Sequence, residues 1–263
     1  MCLALVALDA HPKFALVIAA NRDEFHARPA RAAHWGRAPP FADILAGRDL
    51  DAGGTWLGIR RDGRWALLTN VREGGRFDAS APSRGNIVPT LLNGVDPLPA
   101  AIHGFAGDAG ARYNGFNVLA GDDEAALWVS NRGGAPTRVA RGVHGVSNAL
   151  LDTPWPKLTR TRSAFSAWCA QGDSDFAPLF AALADRTRAP DDALPSTGIP
   201  HEWEQLLSSP FIVSERYGTR CSTVVAVGHD GAARFVERTF DAHGALNGEA
   251  AFAFTIVRAS PVR

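Results

Sequence analysis

The chain begins with two apolar runs, Cys-Leu-Ala-Leu-Val-Ala-Leu at residues 2–8 and Phe-Ala-Leu-Val-Ile-Ala-Ala at residues 14–20. A polar segment with a proline, Asp9–Lys13, separates them, which is typical of a β-hairpin. Neither run alternates between apolar and polar residues, so both strands are expected to be covered on both faces. The start of the chain therefore predicts a central sheet with a further layer on either side.

The rest of the chain shows further strand and helix patterns. Strands are predicted at Trp56–Ile59, Trp65–Thr69, Phe116–Ala120, Ala125–Ser130, Ser222–Val227, Arg234–Phe240 and Ala251–Val257. Helices are predicted over Ser83–Leu92, from Pro156 onwards, and over Phe176–Ala184. No repeat or linker interrupts this order of strands, helices and strands, which predicts one α+β domain over residues 1–263.

The composition argues against several classes of partner. The 263 residues include 27 Lys and Arg and 27 Asp and Glu, so no net charge favours a nucleic acid or an anionic membrane. A hydrophobic fraction of 46% supports a sizeable core. The arginine-, alanine- and glycine-rich composition is typical of a GC-rich bacterial genome. A small molecule is therefore the expected partner.

The cysteines and the apolar runs bear on the compartment. Cys2, Cys169 and Cys221 are an odd number without close spacing, which favours a reducing compartment over a disulfide framework. No basic segment of an export signal precedes the first apolar run. No run approaches the ~20 apolar residues of a membrane-spanning helix. We expect a cytoplasmic protein without stable membrane insertion, with Cys169 and Cys221 in its core.

Cys2 is the leading candidate for chemistry. Removal of Met1, which a small residue at position 2 permits, would leave Cys2 with both a thiol and a free α-amine. The thiolate is a nucleophile, and an α-amine, with an ordinary pKa of about 7.7–8.0, exchanges protons at neutral pH. The alternative is that Cys2 is a small buried residue at the start of a core strand.

Other candidates follow the predicted strands, since the common cofactor and metal motifs are absent. The chain contains no G-x-x-x-x-G-K-[ST], no H-E-x-x-H and no zinc-type spacing of Cys and His. Strand ends of a layered sheet can direct polar side chains into a shared cleft. Such residues are Asn21–Glu24, Asn70, Ser147–Asn148 and Thr219–Cys221.

Several short motifs match one known family. Asn21-Arg22-Asp23-Glu24 is the motif that gives this family its name. Further matching stretches are Ala46–Asp49, Gly53–Gly58, Thr69–Arg72, Ser83–Gly85, Tyr113–Asn117, Gly145–Asn148, Asp152–Lys157 and Tyr217–Arg220. Over its whole length the chain thus resembles the NRDE family, also called the transport and Golgi organisation two family.

The resemblance implies a fold and a set of site residues. The family looks like the N-terminal-nucleophile fold, a four-layer αββα sandwich. It is also similar in site order to penicillin V acylase and bile salt hydrolase, which present an N-terminal Cys, an Arg, an Asp, two Asn and a late Arg. Residues in the same order here are Cys2, Arg22, Asp23, Asn70, Asn148 and Arg220.

The resemblance also implies a mechanism. Cys2 would attack an amide or thioester carbonyl while its own α-amine accepts and returns the proton. Arg22 or Arg220 would lower the thiol pKa, and Asp23 would orient the ammonium. Asn70 and Asn148 would donate hydrogen bonds to the tetrahedral oxyanion. Hydrolysis of this kind needs no cofactor or metal.

The chain departs from the acylase pattern in one respect, because Arg22 and Asp23 are adjacent. Neighbouring side chains on an extended strand face opposite ways. Arg22 and Glu24 would then share one face, and Asn21 and Asp23 the other. Both Arg22 and Asp23 would reach Cys2 only if the strand ended or bulged by residue 21.

Purely structural roles for the candidate residues stay open, and so does a second function for the protein. Arg22 and Asp23 would serve equally as a structural ion pair, Asn70 and Asn148 as turn caps, and Arg220 as a solvated edge residue. By resemblance, the family is also linked to haem movement and to acyl-lipid or coenzyme A metabolism. The second function is therefore a non-catalytic protein that binds or transfers such a ligand in the same cleft.

Overall fold

A computed structural model describes residues 3–94 and 96–257 and contains two antiparallel sheets. In chain order, the strands are β1 (Leu3–Leu8), β2 (Phe14–Phe25), β3 (Ala30–Trp35), β4 (Ile44–Asp49), β5 (Leu57–Arg60), β6 (Trp65–Asn70), β7 (Phe116–Gly121), β8 (Ala126–Ser130), β9 (Thr137–Arg138), β10 (Gly142–Val146), β11 (Tyr217–Gly228), β12 (Ala232–Phe240) and β13 (Leu246–Thr255). The first sheet has the order β10-β1-β2-β11-β12-β13, and the second runs β3-β4-β5-β6-β7-β8-β9.

Helices cover the outer face of each sheet. They are α1 (Ile87–Asn93), α2 (Leu98–His103), α3 (Asp108–Ala111), α4 (Pro156–Gln171), α5 (Ala177–Leu183) and α6 (His201–Leu206). One apolar cluster joins α4 and α5 to the first sheet, and a second joins α1 and α2 to the other sheet. A third cluster fills the space between the sheets. The predicted four-layer αββα sandwich is therefore confirmed.

The opening hairpin forms as the sequence predicts. β1 and β2 pair antiparallel from Leu8 with Leu16 to Leu3 with Asn21. Along β2, Ile18 and Ala20 face the space between the sheets, whereas Val17 and Ala19 face the helices. Because both faces are covered by a packed layer, both apolar runs can be apolar throughout.

The prediction that Asn21–Glu24 follow the second strand was wrong, because β2 continues through them to Phe25. Thr219–Cys221 likewise lie inside β11, which begins at Tyr217. Pairing between β2 and β11 holds both segments extended, with an irregularity between Thr219 and Cys221. Polar residues remain in a strand here because backbone and side-chain groups from distant parts of the chain form hydrogen bonds with them.

Asn21 shows how this is achieved. Its side chain is fully buried on the helical face of β2. Its Nδ2 donates hydrogen bonds to the carbonyl oxygens of Leu183 at 2.8 Å and Pro210 at 2.9 Å. Its Oδ1 accepts a hydrogen bond from Ser222 Oγ at 2.6 Å. The side chain therefore ties β2 to the end of α5, to the segment before β11 and to β11 itself.

Replacement of this amide should destabilise the fold. We expect Asn21→Ala to lower the free energy of unfolding by about 2–4 kcal/mol, because two buried carbonyls and one hydroxyl lose their partner. Urea denaturation measures the change. Ser222→Ala is the matched control and removes one bond of the three. Equal losses in the two variants would contradict this role for Asn21.

Candidate functional site

The candidate site lies at the end of the sandwich where β1 begins. Leu3 is paired with Asn21 of β2, and on its other side Ala4 is paired with Val146 at the end of β10. Cys2, which precedes Leu3, lies outside the described residues. The start of β1 thus runs between the motif Asn21–Glu24 and the segment Ser147–Asn148.

The two asparagine candidates lie close together across the two sheets. Asn70 ends β6 of the second sheet, and Asn148 follows β10 of the first. Asn148 Nδ2 donates to the Asn70 carbonyl oxygen at 3.0 Å, and the Asn148 carbonyl accepts from the Arg72 N–H at 2.7 Å. These bonds join the two sheets and bring Asn70 and Asn148 together next to the start of β1.

Arg22 and Asp23 face opposite sides of β2, as the alternation predicts. Arg22 faces the second sheet: its guanidinium lies 4.5 Å from the Trp56 ring centroid, and its Nη2 lies 3.4 Å from Asp49 Oδ2 and 3.8 Å from Glu24. Asp23 faces the helical side, where its Oδ1 accepts a hydrogen bond from Thr219 Oγ1 at 2.6 Å. The irregularity in this part of the sheet lies on β11 rather than on β2.

Asp49 anchors the charged groups on the Arg22 side. Its Oδ2 accepts a hydrogen bond from Arg28 Nε at 2.7 Å, and its Oδ1 accepts one from the Ala52 N–H at 3.1 Å. Burial alone would raise the pKa of Asp49, but the Ala52 hydrogen bond and the charges of Arg28 and Arg22 hold it below its ordinary value. Asp49 is therefore an ionised counter-charge for both arginines.

Arg220 holds the connection between β2 and β3. Its Nη1 donates to the carbonyl oxygens of Phe25, His26 and Arg28 at 3.0 to 3.3 Å. Burial and the positive charge of Arg22 lower the pKa of this guanidinium. Arg220 is thus half-buried in the site, contrary to the alternative that it is a solvated edge residue.

Two cavities meet at Arg22 and Trp56. The first, of about 300 Å³, also has Asn70, Asp49 and Arg84 in its wall. The second, of about 180 Å³, lies against Arg220 and Glu237. A larger cavity of about 460 Å³ opens beside Leu8 and Leu16, at the far end of the hairpin, away from the candidate residues. The chemistry is therefore expected at the two smaller cavities.

Sequence reasoning missed Glu237 of β12. This side chain is 1% exposed, and it accepts hydrogen bonds from the Ala33 N–H at 2.7 Å and from Thr223 Oγ1 at 3.2 Å. Burial raises its pKa above the ordinary value, against the lowering effect of these hydrogen bonds. The sequence did contain a signal. Glu237 lies two positions after Phe235, so alternation along the strand predicts that it shares the face of β12 that packs between the sheets.

The two described cysteines are core residues, as expected. Cys169 lies among the apolar residues under α4, and Cys221 lies between the sheets. Burial raises the pKa of Cys169 to about 11 and that of Cys221 well above its ordinary value. Both thiols are therefore protonated at neutral pH. Neither has the exposed thiolate that a nucleophile needs.

Metal and membrane features were sought in the same residues. Within 3–94 and 96–257, no group of three or more His, Cys, Asp or Glu side chains is arranged to hold a metal ion. No helix in that part of the chain has the length and apolar character needed to cross a membrane.

Comparisons with known sequences point to one family. The family described as Transport and Golgi organisation 2 matches residues 1–242. The Transport and Golgi organization protein 2 homologs of Bos taurus and Homo sapiens are each 36% identical to this chain, over 91% of it and 93% of their own length. The Drosophila melanogaster protein of that name is 29% identical over 94% of this chain and 96% of its own length.

Comparisons with solved structures identify the fold. The Caenorhabditis elegans ortholog of N-acylethanolamine-hydrolyzing acid amidase superposes with a TM-score of 0.51 at 12% identity, covering 85% of this chain and 92% of its own. The C2A variant of conjugated bile acid hydrolase from Clostridium perfringens superposes at 0.50 and 10% identity, covering 97% of this chain and 92% of its own. The architecture is therefore similar to that of the N-terminal-nucleophile hydrolases.

The raised pKa of Glu237 predicts a pH-dependent stability. The folded protein holds the proton of this carboxyl more tightly than the unfolded chain, whose ordinary pKa is 4.5. The contribution of Glu237 to stability is therefore complete below about pH 4.5 and falls as the pH rises towards the folded pKa. Glu237→Gln, which carries no titrating proton, should gain stability relative to the wild type as the pH rises above about 4.5 towards the folded pKa of Glu237.

Urea denaturation of both proteins at several pH values measures this difference. Any constant cost of altered hydrogen bonding in Glu237→Gln cancels in the comparison between pH values. A difference in unfolding free energy that does not change with pH would contradict the raised pKa.

Proposed function

The chain belongs to the Transport and Golgi organisation 2 family, and from this premise we propose that it is an N-terminal-cysteine hydrolase acting on a C–N amide or an acyl thioester. The observation that carries the proposal is the register of β1. Leu3 pairs with Asn21 and Ala4 pairs with Val146, so β1 begins next to Arg22, Ser147 and Asn148. Both solved relatives are named for hydrolysis, one of them as an amidase.

The proposal assigns the thiol to the side of Arg22. Along β1, Leu3 faces the helices and Ala4 faces the space between the sheets, and the proposal requires the thiol on the inter-sheet side. Arg22 faces the same side. A guanidinium next to a thiol favours the thiolate. Asp49 and Glu24 hold the guanidinium in place.

The proposal gives the remaining candidate residues roles at the α-amine and at the oxyanion. Asp23, oriented by Thr219, faces the opposite side of β2 from Arg22, so the proposal uses it to orient the backbone α-ammonium group and not the thiol. Asn70 and Asn148 lie across the cleft and would donate to the oxyanion. Arg220 adds positive charge and holds the loop that follows the motif.

In the proposed reaction, the Cys2 sulfur forms a bond to the substrate carbonyl carbon, and the α-amine takes up the thiol proton. Collapse of the tetrahedral intermediate breaks the C–N or C–S bond, and the α-ammonium returns the proton to the leaving group. Water then attacks the thioester carbonyl while the α-amine takes up its proton, the bond between sulfur and carbon breaks, and the α-ammonium returns the proton to the Cys2 sulfur. The products are a carboxylate and an amine or a thiol.

The alternative, a haem or acyl-lipid carrier, uses the same cleft. Among the described residues that line the two smaller cavities, Cys221 is the one soft donor suited to haem iron. Its thiol bonds to Glu237, and its pKa is raised, so it does not fit an axial thiolate. The lining therefore favours the hydrolase over a haem carrier, while an acyl ligand fits both proposals.

Loss of the terminal thiol should abolish hydrolysis. We expect Cys2→Ala to reduce turnover of a panel of N-acyl amides and acyl thioesters by at least about 10³-fold, because no nucleophile remains. Cys169→Ala is the matched control: its thiol is buried, with a pKa of about 11, so turnover should persist. Full activity in Cys2→Ala would contradict the proposal, as would mass spectrometry showing that active protein retains Met1.

A further inference from the structure

The smaller of the two cavities at the candidate site has an excess of positive charge. Its volume of about 180 Å³ lies between the second half of β2, β11, β12 and the start of β3. Three arginines, Arg22, Arg31 and Arg220, line it, and Glu237 is its acidic residue. The chain as a whole has no net charge, so this excess of positive charge is local.

Arg22 contributes a hydrogen-bond donor that is not used. The residue is 3% exposed, and its Nη2 is occupied by Asp49 and Glu24, which line the neighbouring cavity. Its Nη1 is buried and has no hydrogen-bond partner among residues 3–94 and 96–257. A buried charged donor without an acceptor is unfavourable for folding.

Arg220 repeats this pattern. Its Nη1 is fixed by three backbone carbonyls, whereas its buried Nε has no acceptor in the described part of the chain. The charge of Arg22 lies close enough to lower the pKa of Arg220, after the effect of burial. Two like-charged guanidiniums are thus held together, each with an unsatisfied N–H.

Glu237 does not neutralise these arginines fully. Its oxygens already accept hydrogen bonds from the Ala33 N–H, from Thr223 Oγ1 and from the Cys221 thiol. Burial raises its pKa, so protonation is easier than for an ordinary carboxylate. Arg22 is paired with Asp49 and Glu24 outside this cavity, whereas the charges of Arg31 and Arg220 have no ionised counter-ion among the described residues that line it.

We propose that this cavity binds an oxyanion group of the ligand, a carboxylate, phosphate or sulfonate, held by the positive charges of Arg22 and Arg220 in its wall with Arg31 at the rim. The pocket is smaller than the roughly 300–1,000 Å³ of a site for a whole small molecule. It is several times the ≈ 30 Å³ that one water molecule occupies. It therefore suits one charged group, while the rest of the ligand lies in the adjoining cavity of about 300 Å³.

The anion site rests on the proposed function only in sharing its cleft, so binding and hydrolysis can be tested separately. Isothermal titration of the full chain with inorganic phosphate, and separately with acetate, measures anion binding at an ionic strength held constant with chloride. We expect saturable binding with one site per chain. If phosphate has the higher affinity, the site prefers a phosphate-like group; if acetate does, it prefers a carboxylate.

Variants locate the bound anion. Arg31→Gln removes an exposed rim charge and should weaken binding roughly threefold to fivefold. Arg220→Gln should weaken it by at least about tenfold, because a charged hydrogen bond is lost. Arg138→Gln is the matched control, since Arg138 is also exposed but lines the distant cavity of about 460 Å³. It should bind as the wild type does. Arg31→Gln keeps the test valid if Arg220→Gln fails to fold.

Cys2→Ala separates the two proposals. Retained anion binding in this variant supports the site whether or not hydrolysis is lost, whereas lost binding would show that the arginines serve the thiol alone. Absence of saturable binding of both probes to the wild type would overturn the anion site. Equal weakening by Arg31→Gln and Arg138→Gln would do the same, because binding would then follow the overall charge.

Discussion

The register between β1 and β2 is the constraint on which the site depends. A slip of one residue would exchange the faces of β2, moving Arg22 to the helices and Asp23 into the space between the sheets. The apolar residues do not prevent this slip, because both faces of β2 are apolar up to Ala20. The polar residues that follow do. Asn21 fits acceptors on the helical side, and Arg22 fits Trp56 and Asp49 on the other. The motif therefore sets the register as well as providing site residues.

The sequence predicts those parts of the fold whose cause is local. The opening hairpin follows from its two apolar runs, and α4 follows from a stripe that buries Phe165 and Cys169. The extension of β2 through Asn21–Glu24 is not local, since the partners of Asn21 lie 162 and 189 residues away. β3 was likewise not predicted, because its first three residues are exposed and include the charged Arg31. The alternation of Arg22 and Asp23 was predictable because it needs only an extended backbone.

Stability is a weak explanation for the charges buried between the sheets. Desolvation of Arg22, Asp49 and Glu237 costs free energy that their mutual attraction only partly offsets, and apolar residues of similar size often serve a core equally well. Each of these groups nevertheless lies beside a cavity or lines one. Their hydrogen bonds fix them in place before any ligand arrives, which is the preorganisation that binding and catalysis require. Function is the simpler reason for their burial.

The shared fold and the local site support different conclusions. At 10% and 12% identity, the solved relatives establish the layered architecture, and one architecture can accommodate many reactions. The reaction must be argued from the side chains at the start of β1. There, Arg22 and Trp56 lie between the cavity of about 300 Å³, which is lined by residues of both charges, and the cavity of about 180 Å³, which has an excess of positive charge. A ligand that spans both must pass Arg22, which lies in the sheet beside the residue paired with Leu3. The cleft is thus divided at Arg22 itself, next to the residue that fixes the start of β1, so the same guanidinium lies against both parts of such a ligand.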